Sequence, residues 1–318
     1  MLTSNKTEYP ICNEYKGNEL IRTIYYKDIV RDDEKIHKYI CNDCNREFKS
    51  INLLNKHREI CKVRQHKISI YETIKEYKGE EYLRRKIEED KKRIESEKLS
   101  IKTNGKFSLF INNLQNREKL NIFISGQSGC GKTTCIRDIL LNYYKQFPNR
   151  RIILFSGQTQ EIMLEELEIP KFKKILIDDS FIKFPISIDE LRNSLVIFDD
   201  VDAIQNKKLD IAIQSLYNEI LKNGRSHDGD RNNDIDCIIT CHVLLGANRT
   251  KTIINESTHI ILFPQYTQTH SLSTMCSKYI GLSNNDIKDI KSCKSRYIII
   301  HKNIPLYTLS QKELKLIK

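Results

Sequence analysis

Gly126-Gln127-Ser128-Gly129-Cys130-Gly131-Lys132-Thr133 fits G-x-x-x-x-G-K-[ST] at every fixed position, and its flanks decide how it is read. Before it, Asn121-Ile122-Phe123-Ile124-Ser125 is a short apolar run that predicts a buried strand. After it, Thr134 to Phe147 carries Ile136, Ile139, Leu140 and Tyr143 at helical spacing. A glycine-rich turn between a strand and a helix wraps closely enough for successive N–H groups to face phosphate oxygens. The helix N-terminus adds a dipole that favours anions. The segment Gly126, Gln127, Ser128, Gly129, Cys130, Gly131, Lys132, Thr133 and Thr134 is therefore expected to hold a nucleoside triphosphate, ATP. Lys132 is expected to reach the β- and γ-phosphates, and the Thr133 hydroxyl to hold Mg²⁺.

Leu195-Val196-Ile197-Phe198-Asp199-Asp200 is the second informative stretch. Four apolar residues in a row suit a strand buried on both faces, and acids at its carboxyl end emerge where ligands bind in parallel sheets. Asp199 is expected to hold Mg²⁺ opposite Thr133, and Asp200 to orient or deprotonate an attacking water. An Asp-Asp pair is elsewhere often a turn or a helix cap; the complete phosphate loop upstream favours the catalytic reading. Lys208 to Leu221 reads as an amphipathic helix ending at Gly224-Arg225-Ser226, and Ile235 to His242 as a central strand with a polar end. A side chain such as His242 at that end can sense the γ-phosphate, although a strand-end histidine by itself is more often structural. His259 to Pro264 predicts another apolar strand, and Tyr297–His301 with Pro305–Thr308 a late antiparallel pair. Strands alternating with helices from about residue 106 onward imply a mostly parallel sheet covered on both faces.

The order of these elements, with Asn255 before Ile260-Ile261-Leu262-Phe263, resembles the FtsK/HerA group of P-loop ATPases over roughly residues 118–265. Within that group the chain is similar to the poxvirus-type genome-packaging ATPases of large DNA viruses. The resemblance implies a ring-forming motor that moves double-stranded DNA into a capsid, with an arginine from a neighbouring subunit completing each nucleotide site. Arg225 is then the first candidate for that arginine and Arg249 the second. The chain departs from the pattern in carrying Asp200 where many members have Glu, and His242 where many have Gln or Asn.

Upstream, Cys41, Cys44, His57 and Cys61 have the spacing C-x2-C-x12-H-x3-C, with Phe48 and Leu54 where a ββα zinc finger needs its two core residues. A module this small cannot build a core of its own, so Zn²⁺ would supply most of its folding energy, on the order of 10 kcal/mol. The segment resembles the C2H2 finger family, with Cys61 in place of the final His. Base-reading positions in that register would be Ser50, Leu53 and Lys56; Leu53 is a poor base reader, so contact with a protein such as a capsid component stays as open as DNA contact. Residues 67–102 are dense in Lys, Arg and Glu and predict one long solvated helix, with Asn104-Gly105 as a boundary.

The expected organisation is an α/β P-loop NTPase: 1–37 unassigned, 38–66 zinc finger, 67–105 charged helical linker and 106–318 ATPase domain. A net charge of +11 favours a polyanionic partner such as DNA, bound without reading its sequence. The ten cysteines are scattered and several lie in apolar segments, which predicts free thiols in a reducing, intracellular setting. The polar N-terminus and the absence of a long apolar run predict a soluble protein without a signal peptide or membrane span; for a viral protein, the host cytoplasm or the virion. Two alternatives remain open: a P-loop ATPase of DNA repair or recombination, and a zinc-finger interaction protein with a nucleotide-dependent switch.

Overall fold

A computed structural model describes residues 2–3, 9–26, 39–40, 47–48, 57, 85, 87–88, 100–109, 111, 119–160, 162–226 and 233–317. The chain divides into two compact units, one formed by Met1 with Asp28–Leu99 and the other by Leu2–Lys27 with Ser100–Lys318.

In chain order the strands are β1 (Leu2–Thr3), β2 (Tyr9–Lys16), β3 (Glu19–Tyr26), β4 (Tyr39–Ile40), β5 (Glu47–Phe48), β6 (Ser100–Lys102), β7 (Lys106–Leu109) and β8 (Asn121–Ser125). They continue as β9 (Arg151–Ser156), β10 (Phe172–Leu176), β11 (Ser194–Phe198), β12 (Ile235–Cys241), β13 (His259–Leu262), β14 (Ile298–His301), β15 (Tyr307–Ser310) and β16 (Glu313–Leu316). The α-helices are α1 (Lys132–Gln146), α2 (Ile162–Glu165), α3 (Ser180–Lys183), α4 (Lys207–Asn223), α5 (Ala247–Glu256), α6 (Thr269–Met275) and α7 (Asn284–Lys291).

Ten strands form one sheet in the order β10-β9-β11-β12-β8-β13-β14-β15-β16-β6. The six from β10 to β13 run parallel, and those from β14 onward pair antiparallel. Strands β8, β11 and β12 are buried on both faces, which is why they read as continuous apolar runs rather than alternating ones. Alternation still sorts their side chains. Phe123, Phe155, Phe198 and Ile239 join one core with Leu209, Ile213, Leu216 and Ile220 of α4. The opposite face meets α1, whose Tyr143 hydroxyl donates to Asp236 Oδ2 at 2.7 Å. Asn206 starts α4 by accepting from the amides of Lys208 and Leu209.

At the amino-terminal edge of the sheet lies a buried charge cluster. Asp236 is fully buried and pairs with Arg150 at 2.6 Å, while its other oxygen accepts from Leu120 N at 2.9 Å. Nearby, Lys119 donates to the carbonyls of Ile220 and Leu221, a cation on the negative end of α4, and burial pushes its pKa down to about 8.

Two sequence expectations are revised. Ser100–Lys102 is strand β6 on the edge of the large sheet, not the end of the charged helix. The Ser-Ile-Lys alternation lets Ile101 pair with Leu314, a tertiary partner that helical charge pairing did not reveal. Strands β1, β2 and β3, in the segment the sequence leaves unassigned, join β7 in an antiparallel sheet, β1-β3-β2-β7, within the second unit. Its core residues Ile11, Cys12 and Ile24 are buried, but bulges after Pro10 and Glu14 break the alternation that marks a strand. In the first unit, β4 and β5 pair antiparallel, with Tyr39 opposite Phe48, and His57 is helical. Cys41, Cys44 and Cys61 lie outside the described residues, as does most of the expected linker helix. Cys12, Cys130, Cys135, Cys237, Cys241 and Cys276 are buried free thiols. Among the described residues, no helix is long and apolar enough to cross a membrane.

Candidate functional site

The glycine loop connects the carboxyl end of β8 to α1. Gly131 caps α1 in the left-handed region (φ 106°), a conformation that strains any residue with a Cβ. No side chain caps α1 and no acid stands in its first turn, so its leading amides face outward without a competing carboxylate. A Cβ on Gly126 would lie 2.6 Å from Cys130 Sγ and 2.9 Å from the Phe263 ring, so the loop closes against both. Burial pushes the Cys130 thiol's pKa up despite Lys132 nearby, which keeps the loop cysteine protonated and argues against a nucleophilic role.

β8 and β11 are not neighbours; β12 stands between them. That order brings the end of β12 to the two carboxylates. Phe198 pairs with Ile239, so Asp199 stands beside Thr240, whose fully buried hydroxyl donates to Asp199 Oδ1 at 2.8 Å. The Thr240 hydroxyl oxygen in turn accepts from the Asp200 amide at 2.7 Å. Asp200 is itself left-handed (φ 47°, ψ 48°), a conformation that Asp tolerates better than most residues and that turns its carboxylate toward the loop. Lys132, buried, donates to Gly126 O at 2.9 Å and pairs with Asp200 Oδ1 at 3.2 Å. His242 follows β12, with Nε2 3.3 Å from Asp200 Oδ2 and Nδ1 3.2 Å from Asp202 Oδ1. The donor atoms of Asp200, Asp202 and His242 lie within 4.8 Å of one another, a grouping that could hold a metal. Lys132 and the imidazole already satisfy those carboxylates, so we read the cluster as a hydrogen-bond relay.

A cleft of about 270 Å³ opens beside these groups, lined by Ser125, Gln127, Ser128, His242, Tyr266 and Gln268 among others. Ser125 Oγ is buried at its base without a hydrogen-bond partner. Thr133 sits in the first turn of α1 and Asp199 at the end of β11, two hard oxygen donors of the kind Mg²⁺ takes.

The loop, Lys132, Asp199, Asp200 and His242 thus converge. The two candidate arginines do not join them. Arg225 follows α4 where the Gly224 carbonyl accepts from Ile235 N at the start of β12, the opposite edge of the sheet from the loop. Arg249 is committed within the chain to Val201 O at 2.6 Å and to Asp210. The sequence reading did not single out Asp202 and gave Thr240 no separate role. It also missed Arg296, whose Nε donates to Cys130 O at 3.0 Å and whose guanidinium covers Gly131. Arg296 precedes β14 and carries no local signal of a contact with a loop so far away in the chain.

No protein-family model matches the chain. Among curated proteins, the uncharacterized protein V3 of Sputnik virophage is 33% identical over 191 residues, covering 58% of this chain and 72% of that protein. The chain belongs to the V3 family. Solved structures similar to this V3-family chain include the genome packaging NTPase B204 of Sulfolobus turreted icosahedral virus 2 in complex with AMPPCP. It is 15% identical, with a TM-score of 0.40, covering 65% of this chain and 99% of that one. The pCW3 conjugation coupling protein TcpA with ATPγS is 14% identical, with a TM-score of 0.41 and coverage of 67% and 65%. The cytoplasmic domain of the Thermomonospora curvata type VII secretion ATPase EccC is 10% identical, with a TM-score of 0.42 and coverage of 67% and 28%.

Proposed function

We propose that the chain is an Mg²⁺-dependent ATPase that translocates double-stranded DNA, in the service of packaging a viral genome. The observation that carries the hydrolase reading is the clasp at the loop: Lys132 paired with Asp200, and Thr240 bonded to the Asp199 carboxylate and the Asp200 amide. With ATP in the cradle, Lys132 turns from Asp200 to the β- and γ-phosphates, and the freed carboxylate accepts a proton from the attacking water. The new O–P bond forms as the bond to the ADP oxygen breaks, giving ADP and inorganic phosphate. Thr133 and Asp199 would hold Mg²⁺, which neutralises charge on the phosphates when bound.

The translocase reading draws support from the net charge of +11 and from the order of elements in the sequence. In a ring, Arg225 would act on a neighbour's nucleotide, since its place at the far edge of the sheet keeps it from its own loop. Cys41, Cys44, His57 and Cys61 would hold Zn²⁺ in an accessory module for docking to DNA or a capsid protein. The β4–β5 pairing and the helical His57 are consistent with that module.

The test is ATP turnover by the full chain with and without double-stranded DNA at two salt concentrations. A translocase shows strong stimulation that weakens with salt. Turnover that ignores DNA removes the motor reading, and no turnover removes the hydrolase.

A further inference from the structure

Asp202 lies in the turn Val201–Ala203, after the two strand-end acids, and its carboxylate is fully used. Oδ2 accepts the amides of His242 at 2.8 Å and Val243 at 3.0 Å. Two backbone donors fix the carboxylate plane and leave Oδ1 to face His242 Nδ1 at 3.2 Å. A carboxylate can only accept, so Nδ1 presents a hydrogen to Asp202 Oδ1, and the Nε2 contact with Asp200 Oδ2 likewise calls for a hydrogen on Nε2. The other oxygen of Asp200 pairs with Lys132, the contact that nucleotide binding removes.

We propose that Asp202 is a positioning residue that aims the Asp200 carboxylate through the His242 ring. This rests on the hydrolase reading above. Once Lys132 has moved to the phosphates, Asp200 keeps the Thr240 hydroxyl 3.2 Å from Oδ1 and the imidazole at Oδ2, and the imidazole is held by Asp202. An acid oriented by a histidine, itself oriented by a second acid, is the arrangement that fixes a proton acceptor without consuming it. Asn at 202 offers a single acceptor oxygen, so either the two amides or the ring loses its partner. Gln at 242 would present an amide donor to Asp200 that does not depend on which ring nitrogens carry hydrogen, and hence not on Asp202.

The experiment is a double-mutant cycle on the full chain, with steady-state ATP turnover and circular dichroism for each variant. Asp202→Asn is expected to lower kcat by at least about tenfold with KM held within about threefold. In the His242→Gln background the same change is expected to cost less than about threefold. Equal cost in the two backgrounds would show that Asp202 only ties the backbone of 242–243, and would overturn the proposal. So would a loss in His242→Gln as deep as that of Lys132→Ala, because a donor at 242 would then not suffice. Should Asp202→Asn lose its fold, the cycle is read with Asp202→Glu, which keeps the charge and displaces the ring contact; equal costs again overturn it. No turnover by the unmodified chain sinks the hydrolase reading and this assignment together, whereas normal turnover with equal costs sinks the assignment alone.

Discussion

Thr240→Val is the sharpest probe of the proposed catalytic clasp because it removes the hydroxyl and almost no volume. Thr240 is fully buried, and its hydroxyl is the shared partner of the Asp199 carboxylate (2.8 Å) and the Asp200 amide (2.7 Å). With valine, the Asp200 N–H is left without that acceptor, a cost of about 1–3 kcal/mol, and a hydrogen bond to a charged group worth about 1.5–3 kcal/mol is lost. Some relaxation of the partly buried turn is expected, so the net destabilisation is about 2–4 kcal/mol. For a domain of this size that lowers the melting temperature by roughly 5–15 °C. The effect on chemistry is separable. If the hydroxyl holds both carboxylates in register with the phosphates, losing it raises the barrier by about 1.4–3 kcal/mol, or tenfold to a hundredfold in kcat. The assays are thermal melts and ATP turnover well below the melting temperature, with Thr240→Ser as the control that keeps both hydrogen bonds. A valine variant that turns over normally would show that Thr240 does not organise the acids.

Two further perturbations test the scaffold beneath the site. Arg150→Met strands Asp236, which is fully buried and also accepts from Tyr143 and Leu120. Removing one partner of a buried ion pair costs about 3–5 kcal/mol, and adding Asp236→Asn should recover part of that loss in denaturant titrations. His259 is buried against the His301 ring, and burial first, then that neighbour, hold its pKa well below the usual histidine range. It stays neutral in the fold while the unfolded chain takes up a proton below about pH 6.5. Stability present above that pH is therefore lost as pH falls below it, by up to about 1.4 kcal/mol per pH unit, and His259→Phe should flatten that slope in melts run from about pH 7 down to about pH 5.

What was legible in the sequence was whatever local pattern could carry. The apolar runs ending in Ser125, in Asp199-Asp200 and in Thr240-Cys241-His242 each read as strands, because both faces of each are buried. Glycines at fixed spacing marked the loop because only a residue without a Cβ sits comfortably at the φ of Gly131. Their convergence was not legible. That β12 lies between β8 and β11 is a fact of strand order, and only this order makes Thr240 the partner of both acids.

The residues that sequence reading missed share one trait: their partners are distant in the chain and their own neighbourhoods are ordinary. Asp202 looks like a turn acid after an acid pair, yet its carboxylate ties the turn to the end of a strand forty residues on. Arg296 reaches the loop across 166 residues. The N-terminal strands failed for a different reason, since their bulges shift the side-chain alternation on which strand prediction depends. In the proposed reading the phosphate cradle is written into one short loop, whereas the groups proposed to aim a proton acceptor come from separate strand ends. That division has a physical cause. A cradle of backbone amides needs only local glycines, but a carboxylate must be held in direction by partners on several sides, and in a parallel sheet those sides are different strands.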